Sequence, residues 1–318
     1  MLGVLVVAVL ASISIGGLPT TPAEVLTALF APTGTAADVA IQGLRVPRTV
    51  LGIVVGACLG MAGTLIQGHT RNPIADPGLL GIFQGAALAI VLAAALGDPA
   101  GPVQALFAFA GALGAAVLVF TIASSSRAGA TPVTLVLAGV AVSALAGALV
   151  TAVVLTDMDA LDSLRFWQIG SLASRNGALS FMWPFALLGA ALAVLNAPAL
   201  NAMALGVQTA TSLGVRVGRA RTVGIAAITL LAGTSVMLAG PIAFAGLIVP
   251  HLARAVVGVD HRWQLAASAV LGAAVLLAAD TVGRFVARPG ELSASVILAV
   301  VGAPFFILLA RRRRLVSL

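Results

Sequence analysis

Lysine and tyrosine are absent from the 318 residues, and cysteine occurs once. All 17 basic residues are therefore arginine. Without lysine there is no GxxxxGK[ST] phosphate loop and no amine for a Schiff base. Any work driven by ATP needs its nucleotide on another chain. The one cysteine, Cys58, lies inside an apolar run, cannot form an internal disulfide and reads as a small buried apolar side chain. Histidine is scarce as well. His69 and His261 read as loop residues, and His251 stands alone in "VPHLARAVVG". No HExxH, paired carboxylates or Ser/His/Asp set accompanies them, so the sequence offers no catalytic centre and no metal site.

Charge is the largest deficit. Only 8% of residues are charged, against about 25% in soluble domains. Sixty per cent are hydrophobic, and the mean hydropathy is +1.14. The apolar runs are about 15–25 residues long, which predicts an all-α polytopic membrane protein and not a barrel of alternating ten-residue strands. With 35 glycines, the helices are expected to pack closely through small residues. The net charge of +7 fits lipid headgroups and topology better than nucleic acid in so apolar a chain. The opening "MLGVLVVAVLASISIGG" lacks a basic n-region and a small-residue cleavage site, so it reads as a first span. Ten spans are expected: 1–17, 48–68, 79–97, 102–123, 133–155, 178–196, 221–240, 242–257, 264–286 and 291–310. With no soluble domain or linker between them, residues 1–318 read as one membrane domain.

Ten spans put both termini on one side. Arg311 to Arg314 directly follow the last span, which predicts cytoplasmic termini. Eleven arginines then fall inside: Arg71, Arg127, Arg216, Arg219, Arg221, Arg254, Arg262 and Arg311 to Arg314. Six fall outside: Arg45, Arg48, Arg165, Arg175, Arg284 and Arg288. Acidic residues lean outward, at Glu24, Asp38, Asp98, Asp157, Asp159, Asp162 and Glu291, against Asp76 and Asp260 inside.

Several local patterns stand out. In "LRVPRTVLG", Arg45 and Arg48 sit on the outer side, against the positive-inside tendency. In "HTRNPIADPGLLG", Asn72-Pro73 signals a turn, and Asp76-Pro77 fits an N-cap and first helical position. Gly52, Gly56 and Gly60 form a small-residue stripe, as do Gly139, Ser143 and Gly147. Asp280 and Arg284 are four apart, acid first, which suits an intrahelical pair. No second acid sits deep in a span, which argues against a proton-coupled carrier. Trp167 and Trp183 flank outer span ends, where interfacial indoles sit. Residues 197–220 form the longest cytoplasmic connection, in which "ALNAMAL" and "QTATSL" could each make a short helix, with breaks at Gly206 and Gly214. A gradient-driven secondary transporter remains the alternative class; a membrane enzyme lacks its polar cluster.

Taken together and in order, "RVPRTVLGIVVGACLGMAGTLIQGHTRNPIADPGLLG", "LRFWQIGSLASR", "ALGVQTATSLGV", "GPIAFAGLIVPHLARAVVGVDHR" and "GELSASVILAVVGAPFFILLARR" resemble the FecCD-type permeases. These are membrane subunits of ABC importers for ferric siderophores, haem and vitamin B12. The resemblance implies a type II importer permease of ten spans in the bacterial cytoplasmic membrane, paired with a second permease. It implies two cytoplasmic ATPase subunits, which bind ATP and Mg, and an external substrate-binding protein; this chain would hold no cofactor. "LRFWQIGSL" looks closer to siderophore permeases than to haem or B12 ones. On the same footing, Arg45, Arg48 and Arg284 match arginines that dock the binding protein. Asn72, Pro73 and Ile74 match one cytoplasmic gate loop, and Thr131 in "GATPVT" matches the second. Gln208, Ser212, Leu213, Gly214 and Val215 match the segment that couples to the ATPase. Val207 and Gln208 stand where family members often carry glutamate, so one charged contact there is missing.

Overall fold

The computed structural model describes residues 1–97, 102–127, 129–173, 176–288 and 290–311. Asp98, Arg175 and Arg312 to Arg314, which entered the charge count, lie outside the described residues. Among the described residues there is no strand. The helices are α1 (Leu2–Ser14), α2 (Pro22–Phe30), α3 (Ala36–Asp38), α4 (Val46–Thr70), α5 (Ile82–Ala95), α6 (Pro102–Ser124) and α7 (Pro132–Val154). They continue as α8 (Met158–Gln168), α9 (Asn176–Ala204), α10 (Val207–Ser212), α11 (Val217–Ala239), α12 (Ala245–Val257), α13 (His261–Val286) and α14 (Ala294–Arg311). A π-helical stretch, Val39–Arg45, leads into α4, and a 3-10 turn, Pro77–Leu80, leads into α5.

Six of these helical segments are long and apolar enough to cross a membrane, and α1, α5, α12 and α14 provide four shorter apolar helices. In order they correspond to the ten expected spans. Two boundaries differ in an informative way. The sixth span continues through Ala204, so "ALNAMAL" is the end of α9 and not a separate helix. "QTATSL" does form most of a short helix, α10, set off by Gly206 at φ 118° and Gly214 at φ 83°. The eighth span begins as extended chain. Gly240 to Ala243 are non-helical, Phe244 takes a left-handed φ of 67°, and only then does α12 start.

The core is organised around α4, which packs against α9, α11, α12 and α13. Its glycines set the spacing. A Cβ on Gly56 would lie 2.7 Å from the Ala273 Cα and one on Gly52 would lie 2.5 Å from the Leu277 Cδ2, while one on Gly60 would meet the Ser268 carbonyl. Gly63 continues the seam on α12, where a Cβ would lie 2.7 Å from the Gly246 carbonyl carbon. The backbones of α4 and α13 therefore touch over several turns, as membrane helices do where small residues line the interface. Thr64 and Ser268 share a hydroxyl hydrogen bond of 2.7 Å across this seam. Cys58 is buried, as expected. The second stripe is only partly used: Gly139 abuts the Leu79 carbonyl, whereas a Cβ on Gly147 would meet nothing nearer than Gln84 at 4.0 Å.

Other expectations are revised by the packing. His69 ends α4 and His261 begins α13, so both are buried helix-terminal residues and not loop residues. Trp167 is buried in the core rather than interfacial, because α8 folds back over α5; Trp183 is exposed. Gly56→Val should overpack the α4–α13 seam at a cost of about 1–3 kcal/mol, whereas Gly147→Ala should leave stability unchanged. Thermal unfolding of the two variants in detergent measures the difference.

Candidate functional site

Polar side chains gather at the two ends of the bundle. At one end, Asp280 on α13 is 1% exposed, accepts hydrogen bonds from Arg48 and forms an ion pair with Arg284. Arg48, on the first turn of α4, donates Nε to Asp280 Oδ2 at 3.0 Å and its terminal nitrogen to Oδ1 at 2.9 Å. Its other terminal nitrogen reaches Glu291 Oε2 at 2.6 Å. Arg284, four residues along α13, places Nε 3.2 Å from Asp280 Oδ2 and donates to the carbonyls of Ser12 at 3.0 Å and Ile15 at 2.7 Å. Arg45 donates to the carbonyls of Ile13 and Ser14 and to Thr20 Oγ1. Arg45 and Arg284 thus satisfy carbonyls that the end of α1 leaves without helical partners.

The structure brings Arg45, Arg48 and Arg284 together, as a docking site requires, but turns all three inward. Each is buried and has partners within the chain. The expected Asp280–Arg284 pair exists, with Arg48 inserted as a third member. Together with Gly16, Gly17 and Glu291, the three arginines line a cavity of about 270 Å³ at this end. Glu291 is the exposed acid of the group, its side chain 41% accessible.

At the opposite end, α4 stops at Arg71, whose φ of 50° turns the chain into the loop. Asn72 Oδ1 accepts from the Ile74 N–H at 3.1 Å, and the Ala75 N–H returns to the Asn72 carbonyl. This is an Asx turn. Pro73 is half-buried and Ile74 is 51% exposed. Asp76 caps the following 3-10 turn through the Gly78 N–H at 2.8 Å. Burial pushes its carboxyl up to about 6 against the opposing effect of that N–H. Thr131 caps α7, accepting from the Thr134 N–H and donating its own N–H to Thr134 Oγ1 in return, with Pro132 at the first helical position. Pro132 is therefore part of the cap.

The α9–α10–α11 connection lies at this same end. Ala210 is buried with Met203 and Ala220 in a small apolar cluster that anchors α10. Gln208, Ser212, Leu213 and Gly214 are exposed and Val215 is half-buried. Leu213 is 64% exposed and Leu205 69%. Buried amides brace the stem. Asn196 donates to the Ala220 carbonyl at 2.6 Å and accepts from His69 Nε2 at 2.9 Å. Asn201 accepts from the His261 N–H at 2.9 Å and donates to Asp260 at 2.7 Å. That bond, with the Arg262 N–H, holds Asp260 below the usual carboxylate range. The sequence reading missed Asn196, Asn201, Arg71 and Arg221 as site residues. Two asparagines at the end of an apolar run were the available signal. No group of three or more His, Cys, Asp or Glu able to hold a metal occurs among the described residues.

Residues 4–312 match the FecCD transport family. The chain belongs to that family. It is 45% identical to the ferric enterobactin transport system permease protein FepD of Escherichia coli K12, over 98% of this chain and 94% of FepD. It is 38% identical to the hemin transport system permease protein HmuU of Yersinia pestis, over 85% of this chain and 83% of HmuU. It is also 40% identical to the cobalamin import system permease protein BtuC of Halobacterium salinarum, over 89% of this chain and 76% of that protein. Among solved structures, a metal-chelate type ABC transporter in an inward-facing conformation matches with a TM-score of 0.83 and 28% identity, over 98% of this chain and 97% of that one. The FecCD chain is thus a multi-pass membrane permease, and its family is one of transport subunits, not enzymes.

Asp280→Ala should lower stability by about 3–5 kcal/mol, because it strands two buried guanidinium groups. Glu291→Gln, at a partly exposed acid, should shift it by no more than about 1 kcal/mol; chemical unfolding in detergent distinguishes them. Asp76 carries a second expectation. The folded chain holds its proton more tightly than the unfolded chain, so its stabilising contribution is complete below the unfolded value and is lost as pH rises through about 6. The wild-type melting temperature should carry a fall between about pH 4 and 6 that Asp76→Asn lacks.

Proposed function

We propose that the chain is the membrane-spanning subunit of an ABC importer for an iron chelate, with a ferric siderophore as the cargo. The observation that carries this reading is the 45% identity to a ferric enterobactin permease sustained over 98% of the chain. Haem or cobalamin is the second reading, favoured by the HmuU and BtuC relatives at 38% and 40% identity. Two such permeases, identical or paralogous, would enclose the pathway in a bacterial cytoplasmic membrane. The absence of lysine, and with it of a GxxxxGK[ST] loop, supports an ATP and Mg site on separate ATPase subunits.

The Arg48 end faces outward in this reading and both termini face the cytoplasm. An external binding protein docks at the cavity lined by Arg45, Arg48 and Arg284. Their burial changes how that contact is made. A carboxylate from the partner reaches into the cavity and takes the place of Glu291 on Arg48, while Asp280 keeps the arginines fixed. Such charge pairing sets orientation and association rate more than affinity. At the cytoplasmic end, Asn72, Pro73 and Ile74, together with Thr131, close the pathway across the two-fold. Gln208, Ser212, Leu213, Gly214 and Val215 seat in the ATPase. Exposed Leu205 and Leu213, which flank the short helix α10, support this, since apolar side chains held out on either side of it call for a partner.

Reconstitution into liposomes tests the reading. With its ATPase and binding protein the permease should accumulate one of ferric enterobactin, ferric citrate, haemin or cobalamin when ATP is supplied, and alone it should accumulate none. Uphill uptake by the permease alone would overturn it. Reversing Arg45, Arg48 and Arg284 to glutamate should abolish binding-protein association measured by surface plasmon resonance.

A further inference from the structure

Both turns assigned as gates are bonded to the stem of the α10 hairpin. Arg71, the residue that opens the first turn, donates to the Met203 carbonyl in the last turn of α9. Arg221, in the second turn of α11, crosses to the Ala130 carbonyl at 2.8 Å, one residue before Thr131. Asn196 closes the stem by bonding α9 to the Ala220 carbonyl, one residue before Arg221, and it also holds His69, two residues before Arg71. One guanidinium therefore runs from the first gate turn to the stem, and a second runs from the stem to the second gate turn. Between the two anchored strands of the stem, only residues of the exposed hairpin intervene.

We infer that Arg71 and Arg221 are positioning residues that make both gate turns move with the α10 hairpin. The inference rests on the assignment of the hairpin to the ATPase and of the turns to the gate. Its physical basis is local. The Met203 carbonyl lies in the last turn of α9, the helix end that favours a cation, and the Ala130 carbonyl lies in the loop just before the Thr131 cap. A guanidinium offers several donors in a rigid fork, so the contact resists rotation as well as separation. Both arginines reach backbone, so a displaced stem pulls on the path of the turn and not merely on a side chain. Neither gate turn has to touch the ATPase. The push arrives through α9 and α11, whose ends Asn196 keeps in step.

The test uses the permease assembled with its ATPase and binding protein in proteoliposomes, with the chelate that supports uptake among ferric enterobactin, ferric citrate, haemin and cobalamin. Arg71→Ala and Arg221→Ala should each reduce chelate transported per ATP hydrolysed by at least about tenfold, the scale of one charge-assisted bond lost in one state. ATP hydrolysis itself should stay within about twofold of wild type, since the hairpin surface is untouched. Arg221→Lys should recover most of the coupling. An unchanged ratio in both alanine variants overturns the inference, as does a parallel fall of uptake and hydrolysis, which signals a docking or folding defect. If Arg221→Ala does not assemble, Arg221→Gln carries the same expectation. A cargo-free measurement separates this inference from the functional reading. Spin labels at Ser125→Cys and Ala204→Cys should keep one distance with and without a non-hydrolysable ATP analogue in the wild-type background, and spread in Arg221→Ala. A distance that already changes in the wild-type background overturns the rigid link. Absence of ATP-driven uptake by the unaltered assembly would instead remove the importer reading.

Discussion

The close approach of α4 to α13 is the constraint from which the rest of the arrangement follows. Glycines at 52, 56 and 60 let the two backbones meet, and Gly63 extends the contact to α12. Lipid tails are as apolar as leucine, so helices in a membrane associate through packing and polar contacts, and small residues let both operate. Drawing α4 onto α13 puts Arg48 beside Asp280 at one end. At the other it sets His69 and Arg71 against α9. A single seam thus registers the Arg48 charge cluster with the turns at the opposite end.

The two ends use charge differently. At the Arg48 end a buried carboxylate organises arginines from two helices, and one of them, Arg284, joins Arg45 in satisfying carbonyls at the end of α1. An ion cluster this deep is compensated by geometry and hydrogen bonds and not by solvent. At the Asn72 end three long side chains reach backbone carbonyls, Asn196 to Ala220, Arg221 to Ala130 and Arg71 to Met203, and neutral amide and imidazole contacts supplement them. The first arrangement fixes charges in place; the second ties segments of chain to one another.

Much of the fold was legible because membrane helices follow from local composition. Ten apolar runs correspond to ten apolar helices, the α4 stripe packs as a stripe, and Cys58 is buried. The turn at Asn72 and the cap at Asp76 also follow from local residue chemistry. What the sequence did not disclose depends on tertiary partners. Arg45, Arg48 and Arg284 could be grouped at one end and the Asp280–Arg284 pair read from spacing, but nothing local says that Arg45 and Arg48 point inward, because Asp280 and the α1 carbonyls reach them from distant segments. Arg71 and Arg221 read as topology charges until Met203 and Ala130 are seen beside them. Trp167 was misplaced because α8 folds back over α5, which no periodicity reports.

The unwound stretch from Gly240 to Ala243 carries a separate consequence. Ser235 on α11 lies at the level of Val55, and α12 does not begin until the level of Gly63. The chain therefore descends through the hydrocarbon zone with peptide groups free of helical bonding. Acyl chains offer such groups nothing, and irregular backbone survives at that depth only where protein or enclosed water covers it. Gly240 and Ile242 are buried, and the Trp167–Gly170 segment packs on Gly240 and Pro241, so the fold itself shelters most of this unwound stretch from acyl chains, and the turn after α8 is what makes the break in the span tolerable.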